Sequence, residues 1–460
     1  MIDLENDDFY VVVDLGTSKV RGAVGIRDKE DNADILCFEQ CPSKGVKRGV
    51  IVNIEAAAGC VREVVTLLQN RINIIINKNR NDDDKQKFVI EKVYVGLNGQ
   101  SIRTIDNHVL RNLGNKDVEI TSDLLTTLFD ENKNVKIDDG EILDVVAQEF
   151  NIDDEEEINP VGYLGTRIEG RYKIICGSPS LKTNIENCIQ RAGCSVAGYQ
   201  LAPVAMAKTV LSDEEKNLGC ALVDFGAGTT SIVVYYKGIL RHLSVVPFGS
   251  DVITKDIMDL KVLDKWAEKL KLRGSAMEEL TPNCEFEIPV MADKRLRINS
   301  RFLASIIEAR IDEILDCVWK QLEKSHLTVH INEVVITGNG SRLKFLKEKM
   351  EIRTGVDVRE GTPTWNVANT EKYQDKTDVK PAQLNKYDYN QLLGLLLDAD
   401  EACVKTVAEQ QVAETVAQRP EKKHVKSDSE SGQGSLWNMF KNLKQKTGDL
   451  MEDFLEDKNI

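Results

Sequence analysis

The chain has no run of about 18 apolar residues, so it carries no sequence signature of a membrane-spanning helix. Its first residues, MIDLENDDFYVVVDL, lack the basic start and cleavage pattern of a secretory signal. A cytosolic protein is therefore expected, with any membrane contact peripheral. Positive charge is in short supply: 60 Lys and Arg stand against 75 Asp and Glu, a net charge of −15. No Lys/Arg stripe of the kind that tracks a phosphate backbone runs through the body of the chain, which argues against a nucleic-acid binder. None of the ten cysteines forms a C-x-x-C pair, and most sit inside apolar runs, so they read as reduced core thiols. His326 and His330 have helical metal spacing, but Thr328 and Val329 between them read as the start of a strand, and no metal site is assigned there. There is no G-x-x-x-x-G-K-S/T stretch, which excludes a P-loop NTPase.

What is present is enough for cores in more than one domain: 460 residues, 42% hydrophobic and 29% charged. Residues 10–26 read as strand, turn, strand. Ala56, Val61, Val64, Val65 and Leu68 have helical spacing and predict a helix at 54–73. The polar stretch 77–87 is a loop. From 93 to about 175 a segment with its own rhythm of strands, Gly/Asn turns and one helix near 122–128 reads as a small inserted α+β subdomain, with the acidic cluster 153–157 as a solvated loop. Further helices are expected at 181–192, from 203, at 256–270, 302–323 and 389–403, and strands at 196–201, 219–225, 231–236 and 333–337.

Two turns carry the chemistry. VVVDLGTSKVRGAV and ALVDFGAGTTSIVV both run apolar strand, Asp, apolar residue, Gly, small or hydroxyl residues, apolar strand. Gly16, Gly226 and Gly228 can take φ > 0 and, without a Cβ, can let backbone N–H groups close on a phosphate. Thr17, Ser18, Thr229 and Thr230 offer hydroxyl donors, and Lys19 follows the first turn. Asp14 and Asp224 end their strands at the turn, where carboxylates can hold Mg²⁺ directly or through its waters. One such turn is no more than a β-hairpin. Two of them, about 210 residues apart, describe a duplicated α/β fold closing on one ligand.

These paired turns resemble the phosphate motifs of the actin superfamily, which includes heat-shock chaperones and sugar kinases. VVITGNGS (334–341) resembles its adenosine motif, with Gly338, Asn339, Gly340 and Ser341 under the base, although Asn339 stands where a second Gly is usual. Glu268 and Lys271 resemble the residues that contact adenine and ribose in its bacterial members. VYVGLNGQSI (93–102), QEFNID (148–153), NPVGYLGTRIEG (159–170) and GILRHLSVVPFGSDVITKDI (238–257) narrow the resemblance to the FtsA family of actin-like bacterial division proteins. The resemblance implies ATP and Mg²⁺ as cofactors and a two-lobed fold with an SHS2-type insert. Domain 1A would take 1–92, 178–206 and 385–405, subdomain 1C 93–177, domain 2A 207–240 and 326–384, and domain 2B 241–325. It also implies partners: the C-terminal peptide of the tubulin-like protein FtsZ on domain 2B, other division proteins on subdomain 1C, a second copy of the chain, and a membrane at the septum. Arg297 and Arg301 are candidates for the acidic peptide because they are basic in an acidic protein.

One departure bears on turnover. Related filament-forming bacterial actins place a carboxylate beside the proline of Leu201-Ala-Pro203, where it positions the attacking water. Here the residue is Ala202, so phosphates can be gripped while hydrolysis loses an expected contribution of about 10²–10⁴-fold.

Residues 406–434 turn to Glu, Gln, Lys, Ser and Gly and read as a flexible linker with a reach of roughly 25–30 Å. Residues 435–456 then place Leu436, Trp437, Met439, Phe440, Leu443, Leu450, Met451 and Phe454 within an arc of about 160° on a helix. Lys444 falls inside that arc and would snorkel. This is the pattern of an interfacial anchor for an anionic membrane surface, with basic residues in the first half and acidic residues in the second. Two other functions fit the superfamily: a small-molecule kinase, for which no catalytic Asp stands out, and a pilus-assembly adaptor, which would have little use for such a tail.

Overall fold

The computed structural model describes residues 8–27, 33–77, 85–291, 294–362 and 386–406. The tail residues from Leu436 to Phe454 and all of the expected linker except Thr406 lie outside them.

Lobe one is built on a five-stranded sheet. Its strands are β1 (Tyr10–Leu15), β2 (Lys19–Arg27), β3 (Ala33–Pro42), β4 (Lys92–Leu97) and β9 (Ser195–Leu201), in the order β9-β4-β1-β2-β3. β1, β2 and β3 form an antiparallel meander, whereas β4 and β9 run parallel to β1. Helix α1 (Ile54–Asn77) buries Val61, Val64, Leu68 and Ile72 on this sheet. Its apolar spacing continues to Ile76, which carries the helix one turn past the predicted end.

Lobe two repeats the topology. β10 (Cys220–Phe225), β11 (Thr230–Tyr236) and β12 (Ile239–Val246) form the meander, and β15 (Glu333–Thr337) and β16 (Asp357–Glu360) run parallel to β10. β10 is buried on both faces, which is why it reads as an unbroken apolar run rather than an alternating one. Leu222 joins the core shared with lobe one, and Ala221 and Val223 join a second core. Helices α5 (Asp251–Met258), α6 (Asp264–Arg273) and α7 (Ser300–Lys324) close that second core. The side chain of Asn299 caps α7 by accepting from the N–H groups of Arg301 and Phe302.

The insert between β4 and helix α3 (Ser180–Ala192) contains β5 (Arg103–Asn112), α2 (Ser122–Lys133), β6 (Glu141–Ile152), β7 (Glu155–Glu157) and β8 (Arg167–Gly177). Its sheet, β7-β6-β8-β5, continues into lobe two through one pairing of Arg103 with Ser244 on β12. A buried polar seam supports this join. Arg241 pairs with Glu149 at 2.5 Å and donates to Gln148 Oε1, while Gln148 Nε2 donates to the Leu240 carbonyl.

Several local expectations are corrected. The helix predicted at 256–270 is two helices, because Lys261 takes φ +63° between them while Val262 stays buried. No glycine marks that break. The acidic cluster 153–157 is a hairpin rather than a loop: Asp153 and Asp154 both have positive φ, and β7 pairs with β6. Thr328–His330 is a 3-10 turn, not the start of a strand. The helix Lys386–Leu397, the last among the described residues, stops before Cys403. The Tyr94 hydroxyl accepts from the N–H groups of Asp400 and Glu401 and draws the chain away from the helix axis. Sequence reading missed β3, β5, β12 and the hairpin β13 (Glu285–Met291) and β14 (Lys294–Asn299).

Candidate nucleotide-binding cleft

The first turn joins β1 to β2 in strict register, with Asp14 opposite Arg21 and Leu15 opposite Val20. The second joins β10 to β11, with Phe225 opposite Thr230. Both are tight: the Gly226 N–H donates to the Thr229 carbonyl at 2.9 Å. None of Gly16, Gly226 and Gly228 uses the positive φ that glycine permits. The need there is for space. A Cβ on Gly228 would stand 2.5 Å from Thr17 Oγ1 and 3.0 Å from Thr17 Cβ. The structure thus brings the two turns, one from each lobe, into direct contact. Thr17 Oγ1 also accepts from the Gly49 N–H at 3.1 Å.

The adenosine-like turn follows β15. Gly338 takes φ +84°, and a Cβ there would come 2.2 Å from Asp224 Oδ1 and 2.6 Å from the Phe225 carbonyl oxygen. The left-handed residue is therefore Gly338. Asn339 opens a 3-10 turn with no positive φ, so its departure from the usual Gly does not strain the backbone. Ser341 Oγ donates to the Gly338 carbonyl and fastens the turn. A Cβ on Gly340 would meet the Phe225 carbonyl at 2.8 Å and Ser250 Cβ at 3.3 Å.

Ser250 connects this turn to the second glycine turn and to α6. Its N–H donates to the Gly226 carbonyl at 2.9 Å. The Lys271 ammonium, nearly buried, lies 2.7 Å from Glu268 Oε2 and donates to Thr254 Oγ1 at 2.9 Å and the Ser250 carbonyl at 3.3 Å. Glu268, Lys271, Gly340 and Gly226 are thereby tied into one cluster.

Charge is concentrated at the ends of β1 and β10. Asp14 is 4% exposed and Asp224 9%. Asp14 Oδ2 accepts from Arg21 Nη1 at 3.3 Å, and Oδ1 accepts from Gln391 Nε2 at 2.8 Å. Burial, reinforced by the Asp14 charge and opposed by Arg21, pushes the Asp224 carboxyl up to about 7. Two buried carboxylates repelling one another offer hard oxygen ligands whose repulsion a divalent cation such as Mg²⁺ would relieve, so the donor set fits that ion.

Other candidates lie elsewhere. Lys19 Nζ donates to Gln40 Oε1 on the neighbouring strand. Arg297 is held by Glu287 at 2.8 Å, and Arg301 Nε donates to the Thr281 carbonyl. Ala202 opens helix α4 (Ala202–Val210) and is buried. Sequence reading missed Arg21, Ser250, Thr254, Asn390 and Gln391. The last two leave a trace, since they are adjacent polar residues leading the apolar run LLGLLL.

Residues 221–385 match the family model described as cell division protein FtsA, and residues 99–176 match the SHS2 domain inserted in FtsA. The cell division protein FtsA of Neisseria meningitidis serogroup B is 32% identical over 369 residues, covering 78% of this chain and 85% of its own length. The chain belongs to the FtsA family. The FtsA of Pseudomonas aeruginosa is 30% identical over 373 residues, 79% of this chain and 85% of its own. As an FtsA-family member, the chain is a cell division protein of actin-like fold whose insert is the family's SHS2 domain. The fold is shared more widely: the PilM–PilN type IV pilus biogenesis complex contains a chain that superposes with a TM-score of 0.53 at 14% identity, covering 84% of this chain and 97% of that one. Among the described residues, no helix is long and apolar enough to cross a membrane.

Proposed function

We propose that this chain is an ATP-gripping adaptor that ties the FtsZ division ring to the membrane and self-associates under control of the nucleotide. The observation that carries the reading is the contact of Thr17 with Gly228, together with the buried, mutually repelling carboxylates of Asp14 and Asp224. Phosphates would lie against Gly16, Thr17, Ser18 and Lys19 from one lobe and Gly226, Gly228, Thr229 and Thr230 from the other. Adenosine would lie against Glu268, Lys271 and Gly338–Ser341. Asp14 and Asp224 would hold Mg²⁺ through water, and the ion would offset phosphate charge. Because both lobes contribute to one ligand site, occupancy favours the closed arrangement by as much as the ligand prefers it.

The remaining parts of the adaptor come from sequence. Region 241–325 is the proposed site for the acidic C-terminal peptide of FtsZ. Residues 435–456, with Trp437, Phe440 and Lys444, are the proposed membrane-binding segment. Several copies in one polymer would bind a membrane far more tightly than one, by about 10²–10⁴-fold. Turnover is proposed to be weak, since Ala202 supplies no group to hold a water. Family membership favours this reading over a small-molecule kinase.

The test is co-sedimentation of the full chain with anionic vesicles and with the FtsZ peptide, each with and without MgATP. Binding of MgATP together with nucleotide-dependent assembly supports the reading. No nucleotide binding, or peptide and vesicle binding that ignores nucleotide, overturns it.

A further inference from the structure

Two adjacent side chains near the start of helix α8 (Lys386–Leu397) reach into different lobes. Asn390 is fully buried and donates Nδ2 to Thr337 Oγ1 and to the Gly361 carbonyl, both at 3.2 Å and both in lobe two. Gln391, 7% exposed, donates Nε2 to Asp14 Oδ1 at the end of β1 in lobe one. The stretch that follows them is apolar: Leu392, Leu393, Leu395 and Leu396 are at most 1% exposed. Buried amides cost stability unless they are hydrogen-bonded, and the side-chain NH2 groups of both residues are bonded, one to each lobe.

The amide of Gln391 has one orientation that electrostatics permits. With Nε2 on the carboxylate it donates; turned over, it would set its own oxygen against Asp14. A Cβ on Gly96 would be 3.3 Å from both Gln391 Nε2 and the Ala202 methyl. Asp14 Oδ2 is meanwhile taken by Arg21. Each carboxylate oxygen thus has its own donor, and the carboxylate plane is set from two sides.

We propose that Gln391 is a positioning residue that orients Asp14 for a divalent cation, and that Asn390 makes this orientation depend on lobe two. The proposal rests on reading the cleft as a Mg–nucleotide site. It follows that cation affinity is controlled from two lobes through one helix turn. Residues that orient a metal-binding carboxylate typically affect metal affinity by about 10–100-fold when lost.

The experiment measures binding of a fluorescent ATP analogue to the full chain in EDTA and across a Mg²⁺ titration. It compares the unaltered chain with Q391M, Q391N and N390L. Met matches Gln in length without its hydrogen bond, and Asn is too short to reach Asp14. Both Gln391 variants are expected to need at least about 10-fold more Mg²⁺ at the midpoint, with binding in EDTA within about twofold. N390L is expected to shift the midpoint in the same direction without touching Asp14. An unchanged midpoint in both Gln391 variants overturns the role of Gln391. A shift confined to Gln391 variants overturns the coupling through Asn390. Equal weakening with and without Mg²⁺ overturns both, because that is general disturbance of the cleft. If the unaltered chain binds no nucleotide in either condition, the fault lies in the reading of the cleft itself.

Discussion

Thr17 in lobe one and Gly228 in lobe two touch, and the contact leaves no room for a single added methyl group on Gly228. The clash falls on Thr17 Cβ as well as its hydroxyl, so a rotamer change does not remove it. G228A is therefore expected to hold the lobes apart at the turns. Affinity for an ATP analogue should fall at least about 10-fold, equivalent to about 1.4 kcal/mol, while the melting temperature stays close to that of the unaltered chain. Titration calorimetry alongside thermal melting reads both quantities.

G338A acts differently, because Gly338 combines positive φ with backbone crowding. A Cβ there meets the Phe225 carbonyl and the Asp224 carboxylate at once. Stability should fall by about 1–3 kcal/mol, in addition to lost nucleotide binding. Urea denaturation of the two glycine variants side by side would show the loss in G338A alone.

The seam between the insert and lobe two predicts a pH effect. His242 is buried, bonded to Thr104 and Ser244, and its pKa is lowered to about 4, first by burial and then by Lys173. Lys324 acts in the same direction, and Asp106 opposes them. The unfolded imidazole takes up its proton near the usual 6.5 while the folded one does not. Stability is therefore lost as pH falls from about 6.5 towards 4, by up to about 3 kcal/mol. H242Q removes this contribution, so its stability should vary less than the unaltered chain's between those limits. Chemical denaturation at pH 7, 6, 5 and 4 measures the difference.

Lys271 is the one buried cation of the α5–α6 cluster that touches Ser250, Thr254 and Glu268 together, among the described residues. K271M keeps the length of the side chain and loses every one of these bonds. Nucleotide affinity should weaken by at least about 10-fold, since a hydrogen bond to a charged group contributes about 1.5–3 kcal/mol. An affinity equal to that of the unaltered chain would place Lys271 in a purely structural role.

The tail yields a prediction from sequence alone. A chain truncated after Gly434 should fail to co-sediment with anionic vesicles that retain the full chain, while its binding of nucleotide is unchanged. Retained sedimentation would move the membrane contact onto the folded body.

The sequence by itself determined the local features. Two apolar strands, each ending in Asp and closing on glycine and hydroxyl residues, could form little other than tight hairpins, and their repetition implied a duplicated fold. Helix α1 was legible because a helix with one buried face repeats its apolar residues every three to four positions. The break at Lys261 was not, because a left-handed lysine carries no mark in the sequence, and the acidic hairpin at Asp153–Asp154 resembled solvated loop for the same reason. The sequence set the two turns on one ligand, but the tertiary structure alone decided which of their residues touch and which others join them. Thr17 and Gly228 are about 210 residues apart, and Asp14 and Gln391 are separated by 377 positions. Such pairings follow from how the two sheets and α8 pack, which residue spacing does not encode. Glycine at Gly228 is needed because the opposite lobe occupies the place of its side chain, and no inspection of its own turn could have shown that.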